Sequence, residues 1–294
     1  MILIDQRDHH DPYLNAAMED YLVRTLVPGD QMYVMLYIND ASVVVGKNQS
    51  IYKEVSFEYL RNGGTVVRRL SGGGTVYHDP GNLCFAFICA FDDRRVNNYA
   101  YFNQPILDAL HAAGIQAEFN KRNDIIWQGK KISGNAQFTD RKNILSHGTL
   151  LVNSDIEALR FALRRNEFEI ESKGIASVRS TAMNISDSSD QIRTAAELRE
   201  HLLSSLHISA RHDLSEQEWQ EVQATAEKYH SAAWLWGRNP STKIMRDGVT
   251  IEVEDGLISS ITSAEPHLQN LVGKPYRYDV LKNEVDSATL ARIF

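Results

Sequence analysis

Three consecutive glycines stand between two strand-like runs in RRLSGGGTVYHDPGN, residues 68–82. Glycine loses more backbone freedom on folding than any other residue, so such a run persists where the chain turns sharply or where something approaches its amides. The flanking residues 65–69 and 75–78 read as strands, and 83–90 as a third. Asp79-Pro80-Gly81-Asn82 suffices for the hairpin turn before that third strand. Ser71–Gly74 is therefore a separate junction, and both a plain strand connection and an anion-binding nest of amides fit it.

The rest of the chain alternates irregularly between the two periodicities. Asp11-Pro12 caps a helix whose apolar positions Leu14, Ala17, Met18, Tyr21 and Leu22 recur at helical spacing. MYVMLYI and SVVVG follow as strands, then a short helix over residues 55–61. A helix over 103–113 precedes strands at 116–119, 124–127, 131–138 and 144–152, with Gln128-Gly129-Lys130 as a turn. Helices are expected at 155–165, 194–206 and 215–230, and the last two open on the capping boxes Thr194…Glu197 and Ser215…Glu218. This is a mixed strand-and-helix domain without regular βαβ alternation. Beyond Pro240, VTIEV and LISSI flank Asp255-Gly256, a hairpin signal. The expected units are residues 1–236 and 237–294.

A formal net charge of -7 argues against a general nucleic-acid binder. No apolar run approaches the ~20 residues that cross a bilayer, and MILIDQRDHHD is unlike a signal peptide, so a cytoplasmic protein is expected. Cys84 and Cys89 lie five residues apart in one strand-like run, hence on opposite faces, and read as inert buried thiols. His9-His10-Asp11 reads as a solvated helix entry.

Three segments combine glycine with basic residues: 68–82, KRNDIIWQGKKISGNAQF (121–138) and SKGIASVRSTAMNI (172–185). None contains a Walker A loop or GxGxxG. Arg69 beside the glycines is suited to a charge-assisted fork on an anion. Lys131, next to Ser133-Gly134-Asn135, puts a second cation within another small-residue bend. The third segment suits a mobile strap or a surface linker.

RRLSGGGTVYHDPGN, RND…GKKISGNAQ, HGTLL at 147–151 and SKGIASVRS, with GKNQS at 46–50, together resemble the lipoate-protein ligase A family, in order and over about residues 11–185. Leu271-Val272-Gly273-Lys274 is similar to a segment of that family's accessory domain. The resemblance implies an α+β fold of the biotin/lipoyl ligase type, a mixed β-sheet with flanking helices, followed by a small, shortened C-terminal α/β appendage. It implies condensation of lipoate with Mg2+-bound ATP to lipoyl-AMP, then transfer to a specific lysine of lipoyl domains of 2-oxoacid dehydrogenase E2 subunits or of glycine-cleavage H protein. A monomer is expected.

Carried over by position, the resemblance implies nucleotide contacts from Arg69, Gly74, Thr75, Val76, Tyr77, Asn123, Asp124 and Lys131, with Asp124 also near Mg2+. Lipoate would meet Lys131, Arg69, Ser71, Gly72, Gly73 and His78. Lys131 is the expected catalytic residue, touching both the carboxylate and the α-phosphate. The chemistry fits, because joining two anions calls for positive charge and positioning and no general base. Deprotonating the acceptor lysine does call for a base, and His78, His147 and Asp124 are the candidates. Val44, Phe85 and Phe87 are alternating apolar residues available to an acyl slot or to ordinary core. Two other readings are an octanoyl or lipoyl transferase of the same superfamily and a non-catalytic lipoyl-domain-binding relative. The former commonly uses an acyl-bearing cysteine.

Overall fold

The computed structural model describes residues 1–122, 124–178 and 180–294; the expected nucleotide contact Asn123 and the basic residue Arg179 lie outside the described residues. Its largest sheet has six strands in the order Asn135–Thr139, Asn143–Leu151, Asn82–Ala90, Met32–Ile38, Ile2–Asp5 and Ala210–Asp213. The first four pair antiparallel, and Ile2–Asp5 pairs parallel with both neighbours.

Strand alternation divides the core between two faces. Leu83, Phe85, Phe87 and Cys89 pack on one side with residues of the helices Tyr99–Ala112 and Ala195–Ser205. Cys84, Ala86 and Ile88 pack on the other with residues of the helices Pro12–Thr25 and Glu216–His230. The two cysteines accordingly lie on opposite faces, both buried and free. Both capping boxes form. The first of the middle helices starts at Tyr99, four residues before the expected 103, because the Asn98 side chain caps it and Pro105 is accommodated inside.

A three-stranded sheet carries the glycine junction. Ser42–Val45 lies in its middle, parallel to Val66–Arg68 on one side and antiparallel to Val76–His78 on the other. Residues 69–75 therefore cross over the C-terminal end of the middle strand, where a side chain on Gly46 would collide with the Gly73 carbonyl oxygen. The close approach of these two backbones is what requires glycine at position 46.

The single strand expected at 131–138 is two. Lys130–Ser133 joins Ile125–Trp127 and Glu118–Phe119 in a small sheet, while Asn135–Thr139 forms the edge of the large one. Gly134 is the break between them. Its N–H donates to Thr149 Oγ1 and its carbonyl accepts from Thr149 N, which pins the break to the neighbouring strand.

The last sheet is antiparallel in the order Glu169–Ser172, Thr242–Arg246, Val249–Glu254, Leu257–Thr262. Asp255-Gly256 and Asp247-Gly248 both have positive φ at each residue, the conformation that tight hairpins select. The Asp247-Gly248 turn and its strand Thr242–Arg246 are not anticipated from the sequence. One strand of this sheet comes from residues 169–172, and Tyr52, Phe57 and Phe168 belong to its core alongside Ile251, Tyr276 and Phe294.

Candidate active site

Two cavities, of about 370 and 580 Å³, meet between the glycine junction, the Lys130–Ser133 strand and residues 175–178, Ser180 and Ala182. Thr75, Val76, Lys131, Gly134, Thr149, Ser177 and Val178 line both. Only the smaller reaches Tyr37, Val44, Val67, Cys84 and Ala136 at its apolar end. Only the larger reaches Tyr77, Leu151, Leu159 and Leu163, with Arg160, Arg164 and Arg165 beside them. These three arginines are already neighbours in the sequence, and the fold adds Arg61 and Arg246, which line an adjoining groove with Arg164 and Arg165. Glu157, Glu58 and Glu167 pair with Arg160, Arg164 and Arg246.

Lys131 sits at the shared wall. Its backbone is clamped by Thr181 O and Met183 N, and its Nζ lies 2.7 Å from Asp124 Oδ1, with a quarter of the side chain exposed. Asn120 Nδ2 donates to the other Asp124 oxygen at 3.0 Å. A Cβ on Gly134 would stand 3.1 Å from Lys131 Nζ, so glycine there leaves the ammonium its room.

Arg68 and Arg69 are both buried, and both spend their guanidinium groups largely on carbonyl oxygens. Arg68 reaches Leu235, Gly46, Lys47 and Gln49; Arg69 reaches Val44, Gly72 and Gly74, and its Nε also donates to Ser71 Oγ. Burial pushes each down to about 10, still charged at neutral pH. Arg69 thus shapes the glycine junction from beneath while lining the smaller cavity. Gly73 and Gly74 line that cavity as well, whereas Ser71 and Gly72 line neither.

A buried polar chain runs on from Arg69. Ser71 Oγ lies 2.6 Å from His147 Nε2, His147 Nδ1 lies 2.7 Å from Glu19 Oε2, and Tyr37 donates to Glu19 Oε1 at 2.9 Å. Both ring nitrogens of His147 are therefore engaged within the protein. His78 contacts Asn39 Nδ2 through Nδ1 at 2.9 Å, and burial, reinforced by the Arg69 and His147 charges, lowers it to about 3. All three sequence candidates for a base, His78, His147 and Asp124, line the smaller cavity, and of these Asp124 is the one paired with Lys131.

Cys84 lines the smaller cavity, which its place in a buried strand does not reveal, but burial raises its thiol well above the ordinary range. Val44 lines the same cavity, whereas Phe85 and Phe87 belong to the opposite core face. Glu19 goes unremarked in a reading of the sequence, and Gln49 enters it only as part of GKNQS at 46–50. Glu19 continues the buried face of its helix beside Met18 and Leu22, and a carboxylate in that position is the signal it offers.

The Lipoyl protein ligase A/B catalytic domain matches residues 11–207. Lipoate-protein ligase LplJ of Bacillus subtilis is 38% identical over 321 residues, covering 100% of this chain and 96% of that protein. Among solved structures, protein Ta0514 of T. acidophilum with bound lipoic acid superposes with a TM-score of 0.66 at 26% identity, over 80% of this chain and 97% of that one. Lipoate-protein ligase A bound with ATP gives 0.65 at 26% identity, over 80% and 96%. The fold is the α+β fold of these enzymes, and the chain belongs to the lipoate-protein ligase family.

Proposed function

We infer that this protein is an ATP-dependent lipoate-protein ligase, and the observation that carries the mechanism is the place of Lys131 between two cavities of different chemistry. The smaller, ending among Val44, Val67, Cys84 and Ala136, suits an acyl tail, for which burial is worth about 0.8 kcal/mol per methylene. The larger, with Tyr77 and three leucines on its walls, suits the nucleoside. A carboxylate and an α-phosphate entering from the two sides meet at Lys131, whose charge screens their repulsion. The carboxylate oxygen attacks phosphorus and pyrophosphate leaves. The acceptor amine then attacks the mixed-anhydride carbonyl and AMP leaves.

We assign Gly73, Gly74, Thr75 and Val76 to the junction that faces both substrates, Tyr77 to the nucleotide and His78 to the acyl side. Arg69 and Ser71 hold that junction, and Gly72 supplies the carbonyl Arg69 grips. Asp124 is the base candidate for the acceptor lysine, acting as first proton acceptor beside Lys131. Among the described residues no group of three or more His, Cys, Asp or Glu could hold a metal ion. A single carboxylate with substrate phosphates nevertheless suits Mg2+, which takes few protein ligands, and Asp124 is our candidate to provide it. Bound there, Mg2+ would neutralise phosphate charge.

Acceptors are lipoyl domains and, by the same chemistry, glycine-cleavage H protein. A monomer is the working unit in this reading, and dependence on ATP fits a cytoplasmic enzyme. The raised Cys84 thiol weighs against a cysteine-bound acyl intermediate.

The test is to incubate the protein with lipoate, Mg2+-ATP and an apo lipoyl domain while following acceptor mass and pyrophosphate. Both should rise together. No pyrophosphate with a competent acceptor sinks the ligase reading, and mass gain only from an acylated donor protein replaces it with a transferase.

A further inference from the structure

Gln49 lines neither cavity, is 1% exposed, and its side-chain amide joins three separate segments. Its Oε1 accepts from Gly46 N at 3.0 Å and from Thr75 Oγ1 at 2.8 Å. Its Nε2 donates to Ile175 O at 3.2 Å and to Ser177 Oγ at 2.9 Å. Ser177 Oγ in turn accepts from Thr75 N at 2.9 Å. The oxygen half of one amide is bonded to the frame around the glycine junction, and the nitrogen half to the segment 173–178 that lies across both cavities.

We propose that Gln49 is the positioning residue that latches the 173–178 strap to the glycine junction and thereby retains an acyl adenylate between activation and transfer. The consequence for the adenylate rests on the ligase reading; the latch itself does not. Thr75 and Ser177 line both cavities, so a ligand in either one presses on groups that Gln49 holds. Other backbone N–H groups of the strap bond away from the glycine junction: Lys173 N to Ser241 O at 3.3 Å, Gly174 N to Ser172 Oγ at 3.1 Å, Ile175 N to Asn48 O at 3.2 Å and Ser177 N to Glu54 Oε1 at 3.1 Å. When the strap lifts, Nε2 is left to water, while Oε1 stays fixed by Gly46 and Thr75. The latch therefore opens at small cost and recloses in one register. Ile175 and Val178 are exposed apolar residues on the strap, 58% and 64%, so closure has little core packing of its own to rely on. The amide contacts carry a correspondingly large share.

Two variants test this, Gln49→Leu, which removes all four bonds, and Ser177→Ala, which removes only the strap-side partner and leaves the buried frame intact. Amide hydrogen exchange of the ligand-free protein should show residues 174–178 exchanging about tenfold faster in each, the effect of losing one or two neutral hydrogen bonds. With adenylate formed from lipoate and ATP, release into solution should rise by roughly the same factor, and KM should rise more than kcat falls. The double variant should add little to either single one. Unchanged exchange at 174–178 in Ser177→Ala, together with unchanged exchange in any Gln49→Leu protein that folds, overturns the latch. If exchange accelerates but adenylate release stays within twofold of wild type, the retention role is overturned. If the wild type forms no adenylate, the ligase reading fails, and the exchange data still decide whether the latch exists.

Discussion

Lys131 Nζ, on the wall common to the two cavities, lies 2.7 Å from Oδ1 of Asp124, which lines the smaller one. The ammonium that we propose meets two substrate anions is thus paired with a carboxylate. Lys131→Ala should reduce lipoate-dependent pyrophosphate exchange by at least ~10²-fold, the scale for losing one preorganised charge-stabilising group. Lipoate binding by calorimetry should fall much less, since the acyl cavity persists. Exchange near the wild-type rate would show that Lys131 has no part in activation.

Gly134→Ala tests the space around that ammonium. Its Cβ would meet Lys131 Nζ at 3.1 Å and Cε at 3.2 Å, both parts of a flexible side chain. Unfolding free energy should change by less than about 1 kcal/mol, while adenylation drops severalfold as Lys131 is displaced. A large stability loss with a normal rate would contradict this.

Gly46→Ala should behave in the opposite way. Its Cβ would press on the Gly73 backbone carbonyl, which cannot rotate aside. We expect a loss of about 1–3 kcal/mol in urea denaturation, typical of overpacking, accompanied by weaker binding of both substrates.

Glu19→Ala should cost about 3 kcal/mol, because it strands the buried Tyr37 hydroxyl and His147 Nδ1 together. Chemical denaturation measures it. A cost near zero would mean that the Ser71–His147–Glu19 chain contributes nothing to the fold.

His78 should make the protein acid-sensitive. Its folded-state value is lowered to about 3 from the ordinary 6.5, so the unfolded chain binds a proton the native state does not in the window between. Stability is complete above about pH 6.5 and falls with decreasing pH at up to ~1.4 kcal/mol per unit down to about pH 3. Against the same denaturation series, His78→Gln should take up about one proton fewer on unfolding near pH 5. An unaltered pH slope would show that His78 titrates normally.

Much of the fold is legible from local chemistry. The alternation of Leu83–Ala90 assigns Cys84 and Cys89 to opposite faces, Thr194 and Ser215 announce their helices through Glu197 and Glu218, and Asp255-Gly256 declares its hairpin. Local chemistry fails where partners are distant. Nothing near Gly134 reveals that 131–138 divides between two sheets, since the break depends on Thr149.

The site divides in the same way. The glycine run, Arg69 and Lys131 stand out in the sequence because flexible backbone and positive charge in short segments suit anion chemistry, whereas Asp124 is implied only by the family resemblance. Their arrangement does not stand out. His147 meets Glu19 across 128 positions and Ser71 across 76, and Gln49 meets Ser177 across 128. The first two of those contacts also decide that both ring nitrogens of His147 are engaged. The sequence by itself determined what kinds of group are present and which short elements carry them, because periodicity, capping and turn geometry act within a few residues. Only the tertiary structure decided which of those groups share a cavity, because hydrogen bonding and burial act across a few ångströms of space whatever the distance along the chain.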